Sequence, residues 1–295
     1  MLADPPPLPD FLADAMPFRR RVADLGEHRL HLVDQGTHET TVLLVHGNPT
    51  WSFLWRKVIR GLGSDLRVVA PDLLGFGLSD KPRRTRDHDL EGHVDRLCRL
   101  VEHLDLQRLV LVGQDWGGPI AAGVGERLRD RVAGVVFANT SVLRPKRPFR
   151  SKAFHRFSHL PLISDLAFRG LGFPLRALHR AQGDPASIGR LEARAYRWPF
   201  RRLRDRAGPL ALARMVPDAE THPTTSPMDR IGAWVEAWEG PAALVWGLRD
   251  PILGRALRRH QRALPQARVW ESEAGHFLQE EVPELLVEAI RSVLP

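Results

Sequence analysis

The chain has 295 residues, 43% hydrophobic and 26% charged, which fits one large or two unequal globular domains and excludes a disordered or fibrous chain. Its single cysteine, Cys98, excludes an intramolecular disulfide framework and any multi-cysteine zinc or iron–sulfur site. The formal net charge of +8 is concentrated in residues 141–206, where sixteen Lys and Arg face four Asp and Glu, so the remainder of the chain is net acidic.

At the N-terminus, MLADPPPLPDFLADAMPFRRR carries prolines and acids where a secretion signal needs an apolar stretch. No run of about 18 apolar residues follows anywhere, so a cytoplasmic protein with no membrane association is expected. Residues 29–35 and 41–46 read as strands, the second almost continuously apolar, and 66–70 as a third that closes on Pro71-Asp72. A polar stretch over 81–89 precedes an amphipathic helix near 92–104. A strand at 108–112 stops at Gly113, a helix covers 119–129, and 134–138 is strand again. From about 141 to 230 the alternation lapses into Arg- and Leu-rich helical stretches broken by Pro and Gly. It resumes with a strand at 242–246, a helix around 253–263, a strand at 267–271 and a closing helix over 283–293. This order predicts an α/β fold, a mostly parallel central sheet flanked by helices, built from residues 1–140 and 231–295, with a helical cap inserted at 141–230.

Gly113-Gln114-Asp115-Trp116-Gly117-Gly118 follows a strand and opens a helix, the setting of a G-x-S-x-G nucleophile elbow, where glycines permit a tight turn and close helix–sheet packing. The central residue is Asp115. Serine attacks a carbonyl carbon, whereas a carboxylate suits displacement at saturated carbon and leaves an alkyl ester, which water clears by attacking the aspartate's own carbonyl. An Asp ahead of a helix is also an ordinary N-cap, so its partners decide between the two. In the alpha/beta-hydrolase order of nucleophile, acid, histidine, Asp250 ends Trp246-Gly247-Leu248-Arg249-Asp250 and His276 lies in Ala274-Gly275-His276-Phe277 after the last strand. His276 would activate water and Asp250 would hold its imidazole in the right tautomer. The position after the earlier strand, Ala138-Asn139-Thr140-Ser141, offers no carboxylate as an alternative acid. His46-Gly47-Asn48-Pro49 follows another strand, and the backbone N–H groups of Asn48 and Trp116 are placed to form an oxyanion hole. His46 reads as structural, and Asp72 and Asp80 as turn and loop-packing residues. His88 and His93 lack a third ligand, so neither a metal nor a cofactor is expected.

Together these residues resemble the haloalkane dehalogenases of the alpha/beta-hydrolase superfamily, from about residue 29 to the C-terminus except for most of the cap. The most specific parts are HGNPTWSFLWR at 46–56, DLLGFGLSDKP at 72–82 and GQDWGGP at 113–119. The resemblance implies that Asp115 displaces halide from carbon, that His276 activates the hydrolytic water with Asp250 as its acid, and that the side-chain N–H groups of Asn48 and Trp116 cradle the departing halide. Two neutral donors stabilise a developing anion without holding the product too tightly. Asn48 combined with a late acid resembles the subgroup with an Asp-His-Asp triad, whose members tend to self-associate, which implies a homo-oligomer. The implied partners are a small apolar halogenated substrate, the halide product and water.

Epoxide hydrolases share the HGxP motif and the Asp-Trp elbow and are the alternative. They use cap tyrosines, usually two, and this chain has one, Tyr196, which reads as cap packing. Fluoroacetate dehalogenases are similar but place an arginine after the nucleophile, where this chain has Trp116; coelenterazine-type luciferases resemble the same scaffold. A non-enzyme alternative is anion or nucleic-acid binding through the basic cap. No nucleic-acid motif accompanies the charge, and a solvated arginine-rich helical lid accounts for it, so no nucleic-acid partner is expected.

Overall fold

The computed structural model describes residues 2–145 and 153–295. Among the described residues nine strands, β1 Leu2–Ala3, β2 Arg20–Asp24, β3 Arg29–Gln35, β4 Thr40–Val45, β5 Arg67–Pro71, β6 Gln107–Asp115, β7 Val132–Thr140, β8 Ala242–Gly247 and β9 Arg268–Ser272, form one sheet. Their order is β1-β2-β3-β5-β4-β6-β7-β8-β9. From β5 onward in that order all neighbours are parallel, while β1, β2 and β3 pair antiparallel and β3 meets β5 antiparallel. The run Val42-Leu43-Leu44-Val45 is continuously apolar because β4 is buried along its whole length, with helices covering both faces of the sheet. Arg56–Leu62 packs with Pro283–Ser292, and Leu90–His103 and Thr225–Glu236 pack on Gly117–Arg127.

β1 and β2 are additions to the sequence expectation. Arg20-Arg21-Val22-Ala23-Asp24 lacks a clear apolar alternation, and its pairing is supported from the side by charge: the buried Asp34 on β3 faces Arg19, Arg21 and Arg67 within 3.5 Å. The strand expected to stop at Gly113 continues through Asp115, so the nucleophile candidate is itself the last strand residue. Residue 230 lies inside helix Thr225–Glu236, whose Ile231 and Trp234 lie against Gly123 and Gly125 of helix Gly117–Arg127.

β4 lies between β5 and β6, so the chain leaves β4 to one side and returns on the other. Such a switch point opens a crevice at the carboxyl ends of the strands, where open α/β sheets bind ligands. The end of β6 with Asp115 and Trp116, and the loops after β4, β8 and β9 that carry Asn48, Asp250 and His276, all lie at that edge.

Between β7 and β8 the described residues form only helices and turns, among them Ala153–Ser158, Arg190–Arg197 and Ala207–Arg214. Of the basic segment, Lys146, Arg147, Arg150 and Lys152 lie outside the described residues. Several cap arginines serve irregular backbone: Arg206 donates to the carbonyls of Phe200, Arg169 and Gly170 at 2.7–2.9 Å, and Arg214 to that of Ser158 at 2.9 Å. A guanidinium fork satisfies carbonyls that short helices leave open. Among the described residues no helix is long and apolar enough to cross a membrane.

Core and cap are joined by a buried charged cluster. Arg56, 3% exposed, grips Glu280 in a two-pronged pair at 2.6 and 2.8 Å and reaches Glu192 of the cap at 3.2 Å. The Tyr196 hydroxyl donates to Glu280 at 2.5 Å, and Lys57 stands 3.1 Å from the same carboxylate. Removing one partner of such a cluster strands a charge without water, so Arg56→Ala is expected to lower the unfolding free energy by about 3 kcal/mol, as read from urea titrations. A loss well under about 1 kcal/mol would mean that the cluster is not a structural tie.

Candidate active site

Asp115 ends β6 with φ 52°, in the left-handed region that side chains rarely occupy, and helix Gly117–Arg127 begins two residues later. The reversal is tight enough that a Cβ at Gly117 would run into the backbone carbonyl of Val45. Gly47 is equally constrained, since a Cβ there would strike the Asp115 side chain. Strand, turn and helix together push the Asp115 carboxylate out over the sheet edge.

That carboxylate is held by backbone. The Asn48 N–H donates to Asp115 Oδ1 at 2.7 Å, and the Trp116 N–H also bonds to the carboxylate. Burial pushes the Asp115 pKa up, opposed by the His276 ring and then by these two N–H groups, and the net direction is upward. Oδ2 is left facing His276 Nε2 at 3.6 Å. The Asn48 side chain gives one amide hydrogen to the Pro209 carbonyl of the cap at 3.0 Å, leaving its second for a ligand. Trp116 is 8% exposed.

His276 Nδ1 sits 2.9 Å from Asp250 Oδ2, and Asp250 Oδ1 accepts from the Ile252 N–H at 2.7 Å. Burial disfavours the charged ring, but the Asp250 charge and its hydrogen bond, helped by Asp115, raise the His276 pKa above its ordinary value. The histidine loop is clamped from several sides. Its backbone N–H donates to the Ala181 carbonyl of the cap at 2.7 Å, and Gln182 exchanges two hydrogen bonds with the Phe277 backbone.

The structure thus brings Asp115, His276, Asp250, Asn48 and Trp116 to one place. Two further residues have roles there that sequence reasoning missed. Asn139 donates to the Gly275 carbonyl at 2.7 Å and accepts from the Gly247 N–H at 2.9 Å, tying the acid loop to the histidine loop. A lone asparagine at a strand end carries no local sign of partners 108 and 136 residues away. Gln114 contacts His276 through its side chain; a polar residue in an otherwise apolar buried strand is the sequence signal that marks it.

The remaining residues singled out lie elsewhere. His46 donates from Nδ1 to the Gly47 carbonyl at 2.9 Å and accepts the Leu73 N–H at Nε2, so both ring nitrogens serve loop packing. Asp72 receives His31 Nδ1 and the N–H groups of Ser52 and Leu78 at 2.7–2.8 Å, and Asp80 receives the Arg29 N–H at 2.9 Å. His88 and His93 stack with ring centroids 5.8 Å apart, and burial lowers the pKa of both. Among the described residues no group of three or more His, Cys, Asp or Glu is placed to hold a metal ion.

Comparison with known proteins gives a concordant result. Residues 40–283 match the alpha/beta hydrolase fold family. Haloalkane dehalogenase 2 of Mycobacterium tuberculosis (strain ATCC 25618 / H37Rv) is 34% identical over 288 residues, covering 95% of this chain and 97% of that protein. Haloalkane dehalogenase 1 of Mycobacterium bovis is 36% identical over 265 residues, 85% of this chain and 82% of the relative. Among solved structures, the tetrameric haloalkane dehalogenase DpaA from Paraglaciecola agarilytica NO2 superposes with a TM-score of 0.81 at 30% identity, covering 94% of this chain and 92% of its own.

Replacing Asp250 with Asn keeps an acceptor near His276 but removes the charge that favours the imidazolium. The His276 titration, followed by NMR, is therefore expected to move to lower pH by about one unit or more. An unmoved titration would show that Asp250 does not set the charge state of the ring.

Proposed function

The chain belongs to the haloalkane dehalogenase family of the alpha/beta-hydrolase superfamily and hydrolyses carbon–halogen bonds, and from that premise we propose that it does so through an ester on Asp115, with His276 as base, Asp250 as its acid partner, and Asn48 and Trp116 as halide donors. The observation that carries this reading is the division of labour between the two Asp115 oxygens. Oδ1 is held by the Asn48 N–H at 2.7 Å, whereas Oδ2 faces the histidine.

In the first step Oδ2 bonds to the halogen-bearing carbon as the carbon–halogen bond breaks, and the bonding pair leaves with the halide. Side-chain N–H groups of Asn48 and Trp116 stabilise charge that builds up only as that bond breaks, so they favour the transition state over bound substrate. In the second step His276 Nε2 takes a proton from water, and the hydroxide adds to the Asp115 carboxyl carbon. Oδ1 then carries the negative charge in the oxyanion hole formed by the two backbone N–H groups. The intermediate collapses to alcohol and carboxylate; the alcohol retains the former Oδ2 and water's second proton, and His276 returns its proton to solvent.

The epoxide reading finds less support. Opening an epoxide needs a phenol free to protonate oxygen, and the Tyr196 hydroxyl is buried against Glu280. We further propose a small apolar haloalkane as substrate, no cofactor, a homo-oligomer by likeness to the tetrameric Paraglaciecola enzyme, and a division into a core and a helical cap.

Bromide release from 1-bromobutane tests the reading. Wild type is expected to release bromide and Asp115→Ala none, while His276→Phe gains the mass of a butyl group in intact-mass spectra and stalls. Folded His276→Phe that turns over freely, or that never acquires the added mass, would count against the covalent route. Asn48→Ala keeps the backbone donor and loses only the side chain. It is expected to slow bromide release about tenfold or more; a change confined to KM would exclude a role in stabilising the leaving halide.

A further inference from the structure

Gln114 lies immediately before Asp115 in β6, is fully buried, and is used by no step of the reaction above. Its Nε2 donates to the His276 carbonyl oxygen at 3.1 Å and lies 3.2 Å from His276 Nε2. Its Oε1 is buried without a partner. Turning the amide over would set Oε1 against the carbonyl, acceptor against acceptor, so the N–H edge faces the histidine. With Nδ1–H committed to Asp250, the neutral imidazole presents a lone pair at Nε2, and the second N–H of Gln114 meets it. A proton on Nε2 would instead set donor against donor.

We propose that Gln114 is a positioning residue whose carboxamide seats the His276 ring through its backbone carbonyl and keeps Nε2 unprotonated, the form that ester hydrolysis requires. The proposal rests on the roles proposed above for Asp115 and His276. The charged groups acting on the ring are Asp250 from the end of β8 and Asp115 from the end of β6, and both draw it toward imidazolium. Phe277, whose ring centroid is 4.7 Å away, and the cap residues Ala181 and Gln182 bring no charge. Burial and Gln114 are left to oppose the two carboxylates. A ring still charged after the ester has formed would have no lone pair for water. At 3.2 Å the N–H···N contact is long, so water can displace it when the ester is hydrolysed.

Gln114→Leu removes the amide, and Gln114→Glu preserves the shape while turning a donor into an acceptor. Rapid-quench single turnovers with 1-bromobutane separate the bromide burst from decay of the ester mass, as a function of pH. In the Leu variant the burst is expected within about twofold of wild type, while the acid limb of ester decay moves up by about one pH unit, which slows decay about tenfold on that limb. The Glu variant is expected to move the limb further in the same direction. Equal slowing of both steps with an unmoved limb would reduce Gln114 to packing and overturn the proposal. Should the variants not fold, 15N-histidine NMR of wild type decides: a neutral Nδ1–H tautomer at pH 7 supports the proposal, and an imidazolium or an Nε2–H tautomer overturns it. Bromide release by His276→Phe without any ester mass would defeat the covalent reading itself, and the proposal with it.

Discussion

Asp115 is held in a backbone conformation that costs an ordinary residue about 1–2 kcal/mol, and the surrounding packing leaves it no other. Close approach of the Gly117 backbone to Val45, and of Gly47 to the Asp115 side chain, fixes the turn between β6 and its helix. From that turn the carboxylate projects over the sheet edge, within reach of two backbone N–H groups and the histidine. A flexible aspartate would spend its charge on water. Under the proposed mechanism the local backbone strain is balanced by pre-organisation, one oxygen fixed by a donor and the other free to meet the reacting carbon.

The same economy runs through the histidine. Its ring lies between two carboxylates, one at 2.9 Å from Nδ1 and one at 3.6 Å from Nε2, to which the proposed mechanism gives opposite duties, orienting the ring and carrying the ester. Alkylation of Asp115 removes one of the two charges that favour protonation, so the ring becomes a better-placed neutral base once the ester has formed. The cap takes part in this arrangement. Carbonyls of Pro209 and Ala181 hold the Asn48 amide and the His276 backbone, and the Arg56–Glu280–Tyr196 cluster secures the cap four residues beyond the histidine. A shift of the cap would therefore disturb both the halide side and the water side of the site.

Much of this was legible in the sequence because its signals are local. Apolar runs marked β4 to β9 to within a few residues, and the elbow motif, the acid after β8 and the histidine after β9 each declared themselves by position relative to a strand end. What escaped depends on distant partners. β2 reads as polar until Asp34 is placed beside Arg21. Tyr196 read as packing, which gave no hint of a hydroxyl bonded to a carboxylate 84 residues away. Gln114 and Asn139 reach partners 162 and 136 residues away, and no periodicity announces a hydrogen bond of that span. Helix Thr225–Glu236 is likewise placed by its packing on Gly117–Arg127, a contact that no local pattern announces.

The route of the oxygen atoms tests the covalent mechanism most directly. In a single turnover of 1-bromobutane in 18O-enriched water, with enzyme in excess, the proposed mechanism has the released butanol take its oxygen from Asp115. The label is expected in the Asp115 carboxyl, found in the peptide that carries it, and the alcohol is expected unlabelled. Labelled butanol with an unlabelled Asp115 peptide would mean that water attacks the haloalkane directly and that Asp115 is not the nucleophile.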